Sequence, residues 1–180
     1  MPRADTSPPL RLVQDGAPEP LTLETAYRDY ARWVAHLALR VLGRDHEVDD
    51  IVQDVFVAAA SGLKRLRDPR AAHAWLGTVT LRLALRRLRA RRVLALVGLD
   101  PQPDYGALCS RDASPEQRAQ ISQLYRALDR LPAQERIAWT LRHVEAERLE
   151  EVATLCRCSL ATAKRRIAAA EDRLREELSR

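Results

Sequence analysis

The chain has 180 residues, with 30 Lys and Arg against 25 Asp and Glu, for a formal net charge of +5. With 46% hydrophobic and 31% charged residues it has a globular composition, too apolar for a disordered chain and too charged for a membrane protein. No apolar run approaches the ~20 residues that a spanning helix needs, so no membrane insertion is expected. Met1–Pro20 also has no apolar stretch of signal-peptide length, so the expected location is the cytoplasm.

Eight residues are aromatic. Ala, Leu, Arg and Glu dominate, which predicts an all-α fold. Residues 1–21 hold five of the ten prolines and read as a flexible leader. From Thr22, a helical period runs through Tyr27, Tyr30, Val34, Leu37, Ala38 and Val41. Gly43 is its predicted stop. Asp45 is the predicted cap of a second helix, whose apolar face is Val48, Ile51, Val52, Val55, Phe56 and Ala59. Asp49, Asp50, Gln53 and Asp54 lie on the other face, and Ser61-Gly62 ends the helix. Asp68-Pro69 predicts a third start, with the cap before a Pro at the first helical position. That helix runs to about Arg92, with Trp75, Leu76, Val79, Leu83 and Leu88 towards one side. Arg82, Arg86, Arg89 and Arg92 recur along it every three or four residues.

Residues 96–113 contain Gly98, Pro101, Pro103 and Gly106 and keep no apolar period, so they read as a linker. Ser114-Pro115-Glu116-Gln117 restarts the chain as a capping box. Ile121, Leu124, Tyr125, Leu128 and Leu131 form the next stripe, and Pro132 begins a helix with Ile137, Leu141 and Val144. A short helix with Leu149, Val152, Ala153 and Cys156 follows. A break at Arg157-Cys158-Ser159 separates it from a last helix capped by Ser159. The expected organisation is two small helical domains, 22–95 and 114–180, joined by a flexible linker.

The charge is unevenly spread. Residues 46–60 carry four acids and no Lys or Arg, whereas residues 61–92 carry ten bases and one acid. A plain DNA-binding protein gains nothing from an acidic stripe beside its basic one. The stripe is either a solvated face or the docking surface for a second, basic partner. The basic stretch, Lys64, Arg65, Arg67, Arg70 and the helix after it, is suited to tracking a phosphate backbone. His73 and Trp75 either stack on a base or pack in the core. The last two helices have helix-turn-helix form, which would bring Thr162, Lys164, Arg165 and Arg166 to a major groove.

Chemistry beyond binding finds little support. Three cysteines exclude a disulfide framework. Cys156 and Cys158 with His143, or His46 with Asp50 and Asp54, give only incomplete metal-ligand sets, so no metal or other cofactor is expected. The scattered glycines form no phosphate-cradling loop, and no nucleophile–base arrangement stands out, so the chain does not read as an enzyme.

Four stretches together resemble the extracytoplasmic-function sigma factors of bacterial RNA polymerase. Asp49-Asp50-Ile51-Val52-Gln53-Asp54-Val55-Phe56 is similar to that family's polymerase-docking helix. Ala74-Trp75-Leu76 and the arginine-rich helix after it resemble the segment that melts and reads the −10 element. Leu131-Pro132-Ala133-Gln134-Glu135-Arg136 resembles the start of the fourth region, and Ser159 to Ile167 resembles the helix that reads the −35 element. The resemblance implies two partners, core RNA polymerase and promoter DNA, and in many members an anti-sigma factor as well. It implies docking through Asp49, Asp50, Gln53 and Asp54. It implies −10 contacts from Lys64, Arg65, Arg67, Arg70, His73, Trp75, Arg82, Arg86 and Arg89, and −35 contacts from Ser159, Thr162, Lys164, Arg165 and Arg166. The sequence departs from the family at Arg82, where Asn is usual, at Arg86, where Asp is usual, and at Arg157, where a turn glycine is usual. A helix-turn-helix regulator that acts without polymerase is the alternative reading.

Overall fold

Side-chain caps set three of the seven α-helix starts among the described residues. The computed structural model describes residues 21–66, 68–99, 105–110 and 112–179. The leader through Pro20, Arg67 and part of the expected linker lie outside them. The described residues form seven α-helices and several single 3-10 turns, with no strand. The helices are α1 (Leu23–Leu42), α2 (Val48–Gly62), α3 (Ala72–Leu96), α4 (Pro115–Arg130), α5 (Ala133–His143), α6 (Leu149–Leu155) and α7 (Leu160–Leu178).

Thr22 with Thr25, and Ser114 with Gln117, close capping boxes at α1 and α4. The Asp68 carboxylate accepts from the Arg70 N–H at 2.9 Å and starts the turn that leads into α3. Gly43 takes the left-handed conformation at φ 69° and donates its N–H to the Leu39 carbonyl, as a helix stop requires. Asp45 differs from expectation. It opens a 3-10 turn, Asp45–Glu47, and its carboxylate accepts from the His46 N–H. No side chain caps α2, whose first turn instead places Asp49 and Asp50 against the positive end of the helix dipole.

Two further boundaries differ. α3 continues four residues past Arg92, to Leu96, with Val93 and Leu96 exposed. Tyr105, inside the span expected as linker, is buried. Its ring packs on Tyr125 and its hydroxyl donates to Asp129 at 2.6 Å. A single anchoring aromatic has no period, so spacing gives no sign of it.

α1, α2 and α3 pack around Val34, Ala38, Val41, Ile51, Val55, Leu76 and Val79. The same apolar cluster continues into Ile137, Leu141, Val152, Leu155, Ala163 and Ile167 of α5–α7. A smaller cluster of Tyr105, Tyr125, Leu128, Leu131, Ala170 and Leu174 fastens α4 to α7. Gly77 permits the close approach of α3 to α6: a Cβ there would lie 2.8 Å from Leu155 Cδ2 and 3.1 Å from the Trp33 ring.

The C-terminus of α1 is where the two halves lock together. A helix leaves its last four carbonyls without intrahelical partners. Here the Leu39 carbonyl accepts from Gly43, and the Arg40 carbonyl accepts from the Tyr125 hydroxyl at 2.9 Å. The Val41 carbonyl accepts from Arg136 Nε at 2.8 Å, and the Leu42 carbonyl from Arg91 Nη1 at 2.8 Å. Two of the four donors come from the C-terminal half. The two guanidinium groups also carry the charge that the negative end of the dipole favours.

Candidate nucleic-acid and protein-docking surfaces

The outer face of α2 combines carboxylates with an apolar groove. Asp49, Asp50, Gln53 and Asp54 are all exposed. Asp50 pairs with Arg87 of α3 at 3.2 Å, and both side chains remain solvated, so the pair adds little stability. Beside this row, Leu23, Tyr27, Val52, Phe56, Val57 and Ala60 line an open groove of about 820 Å³, with Glu24, Asp49 and Gln53 at its polar edge. Tyr27 is 54% exposed and Val57 66% exposed. Tyr27 therefore leaves the core stripe that its spacing suggested, and its ring packs edge-on against Phe56 at 4.8 Å. Sequence reasoning found the acidic row but missed this groove. It is shared between two helices, and no single-helix period reports it.

The basic surface follows. Lys64, Arg65 and Arg70 are exposed around the turns that lead into α3, and Arg67 lies outside the described residues. Arg82, Arg86 and Arg89 are exposed along α3. The two aromatic candidates differ: Trp75 is half-buried, whereas His73 stays exposed with one face of its ring packed. The Trp75 indole covers Gly62, where a Cβ would come within 2.3 Å of the ring. The His73 ring lies over Trp33 with centroids 3.9 Å apart. Burial, partly offset by Glu151, lowers the His73 pKa and favours the neutral ring. Arg91, on the same helix, turns away from solvent to Glu47 at 2.6 Å.

The third surface is the α6–α7 pair. Ser159 caps α7 by accepting from the Thr162 N–H at 3.2 Å, and the Ser159 and Thr162 hydroxyls meet at 2.9 Å. Both residues thus organise the start of the helix. Lys164 and Arg165 are exposed. Arg166 donates to Gln134 of α5 at 2.8 Å. The turn between the helices places Arg157 at φ 49°, left-handed backbone that a side chain disfavours. Ala146, before α6, is also left-handed, at φ 59°. Cys156 packs inward, and burial pushes its thiol up to about 12, so it stays protonated.

Known proteins resemble this chain over both halves. Residues 26–93 match the family model described as Sigma-70 region 2, and residues 121–174 match the one described as Sigma-70, region 4. The chain belongs to the extracytoplasmic-function sigma factors. It is 30% identical over 157 residues to the ECF RNA polymerase sigma factor SigE of Mycolicibacterium smegmatis, an alignment that covers 85% of this chain and 60% of that protein. It is 25% identical over 158 residues to the RNA polymerase sigma-H factor of Pseudomonas aeruginosa, covering 83% and 82%. Among solved structures, the sigma factor RpoE in complex with the anti-sigma factor NepR, from Bartonella quintana, shares the fold. Its TM-score is 0.65 at 21% identity, over 87% of this chain and 96% of that one. CnrH in complex with the cytosolic domain of CnrY gives a TM-score of 0.57, also at 21% identity, over 87% of each chain. In sigma-factor terms, α2 and most of α3 fall within the region 2 match, and α5 and α6 within the region 4 match. No described helix is long and apolar enough to cross a membrane.

Proposed function

We propose that this chain acts in the cytoplasm, by binding rather than catalysis, and directs core RNA polymerase to promoters that carry −10 and −35 elements. Residues 22–95 and 114–180 are its two functional units, and 96–113 connects them. The observation that carries this reading is the separation of surfaces by sign. The exposed face of α2 is acidic and apolar, whereas the exposed charged residues of α3 and of the start of α7 are basic. DNA repels the first and attracts the other two. The first therefore serves a protein partner, and its groove suits an element with apolar side chains flanked by basic ones.

Asp49, Gln53 and Asp54 dock the polymerase, with Asp50 sharing its charge between the partner and Arg87. Lys64, Arg65, Arg67, Arg70, Arg82, Arg86 and Arg89 bind the −10 region, chiefly through phosphates. Trp75 supports that surface from its half-buried position, and the exposed His73 lies on it. Lys164 and Arg165 read the −35 element, while Ser159, Thr162 and Arg166 fix the angle of their helix. An anti-sigma factor would compete for the α2 groove.

The test is co-elution of the purified chain with bacterial core polymerase in the absence of DNA. The wild-type chain is expected to co-elute. An Asp49→Arg and Asp54→Arg double variant, with unchanged helical content, is expected to lose it. Equal co-elution of both would remove α2 as the docking surface. Failure of the wild type with a competent core enzyme would favour a regulator that binds DNA alone.

A further inference from the structure

Among the described residues nothing covers the α2 groove. Leu23, Tyr27 and Val57 on its walls are exposed, beside half-buried Val52 and buried Phe56. A continuous apolar surface of this kind, rimmed by polar groups, marks a place where another chain segment binds. The groove is also joined to the start of the chain. Leu21 packs against the apolar core, and Leu23, two residues on, lines the groove itself. The leader therefore enters the fold at the edge of the groove.

The composition of that leader matches the groove. The branched aliphatic residues before Leu21 all fall together, as Leu10, Leu12 and Val13, with Arg11 among them. No acid lies between Asp5 and Asp15, so the charge of this cluster is positive. The groove is apolar, and its polar edge carries Glu24 and Asp49. In an extended chain Leu10 and Leu12 project to one side, and the long Arg11 side chain can turn its charge to the edge. Pro8-Pro9 favours extended backbone just before the cluster, which lowers the cost of ordering it. The reach is sufficient. Leu12 stands eleven residues before Leu23, a tether of up to ~35 Å. The α2 residues along the groove, Asp49 to Ala60, span ~17 Å of helix. Asp15-Gly16 is a turn signal at which the chain can reverse. A tether this short holds the cluster at an effective concentration on the order of millimolar, so a weak contact is enough to fill the groove.

From these observations we propose that the leader segment 10–13 docks in the α2 groove of its own chain and shields it. Leu10 and Leu12 pack against Tyr27, Phe56 and Val57, and Arg11 faces Glu24 and Asp49. The docking stands on the groove and the leader alone. Its regulatory consequence rests on the reading of α2 as the polymerase-docking helix: the leader then competes with polymerase for one surface, and polymerase must displace it to bind.

The test uses the full chain in dilute solution, with Leu12 replaced by a photo-crosslinking benzophenone amino acid and the products mapped by mass spectrometry. Crosslinks within one chain to the groove residues of α1 and α2 are expected. Val57→Asp places a charge on the groove wall and is expected to lower their yield roughly tenfold. Val93→Asp, at an exposed apolar position of α3 outside the groove, is expected to leave the yield unchanged. Crosslinks only between chains, crosslinks scattered over other surfaces, or an equal yield in the two variants would overturn the docking. Core polymerase added to the same labelled chain is expected to remove the groove crosslinks as it co-elutes. Their persistence in a co-eluting complex would overturn the competition and the polymerase reading of α2, with the docked leader still shown. Absence of groove crosslinks in a chain that co-elutes would overturn the docked leader and leave that reading intact.

Discussion

The end of α1 and the start of α7 solve the same problem with opposite resources. At α7, Ser159 satisfies a backbone N–H three residues away. At α1, only Gly43 is local. The other three carbonyls accept from Tyr125, Arg136 and Arg91, which lie 85, 95 and 49 positions from the groups they satisfy. A local cap forms with its own helix. Half of the α1 cap, the donors from Tyr125 and Arg136, exists only when the two halves are packed together. The α1 end is therefore a tertiary device, and the α7 start a secondary one.

Substitutions at the two ends should separate accordingly. Arg136→Ala is expected to have the largest effect. It removes donors from the Val41 carbonyl and leaves Asp129 beside a vacated site, which costs about 3–5 kcal/mol for a broken buried pair. Denaturant unfolding measures it, and a loss under about 1 kcal/mol would make the α1 lock incidental. Tyr125→Phe keeps the ring but deprives the Arg40 carbonyl of its donor, for an expected loss of about 1–2 kcal/mol in the same assay. Ser159→Ala should cost about 1 kcal/mol, and Ser159→Gly only a few tenths. Hydrogen exchange should place that loss in the first turn of α7, leaving α1 protected; a loss of α1 protection instead would show that the two ends are not independent.

The smallest effect has the opposite sign. Arg157→Gly relieves left-handed backbone at φ 49° but gives back unfolded-state entropy, so a net gain of roughly half a kcal/mol is expected. A destabilised variant would mean that the Arg157 side chain makes a compensating contact.

The same division decided how legible the candidate surfaces were. The acidic row of α2, the arginines of α3 and the capped start of α7 each lie within one element. Period and composition were enough to name Asp54, Arg82 or Lys164. The α2 groove needs Tyr27 from a second helix, and spacing alone assigned that residue to the core. His73 and Trp75 were left between base stacking and packing. His73 meets Trp33 and Trp75 meets Gly62, contacts that form only in the folded chain.

By itself, the sequence determined the all-helical class, all seven helix starts to within a few residues, the stop at Gly43, the break at Arg157-Cys158-Ser159 and the order of charged stretches. These depend on groups a few residues apart, whose interactions survive in almost any packing. Only the tertiary structure decided that the apolar core runs through both halves, that Tyr105 anchors the expected linker, and that Arg91 and Arg136 leave solvent while Arg89 and Arg92 stay in it. Adjacent arginines on one stripe look alike in sequence. What distinguishes them is whether a distant carbonyl or carboxylate arrives to offset the cost of burying the charge.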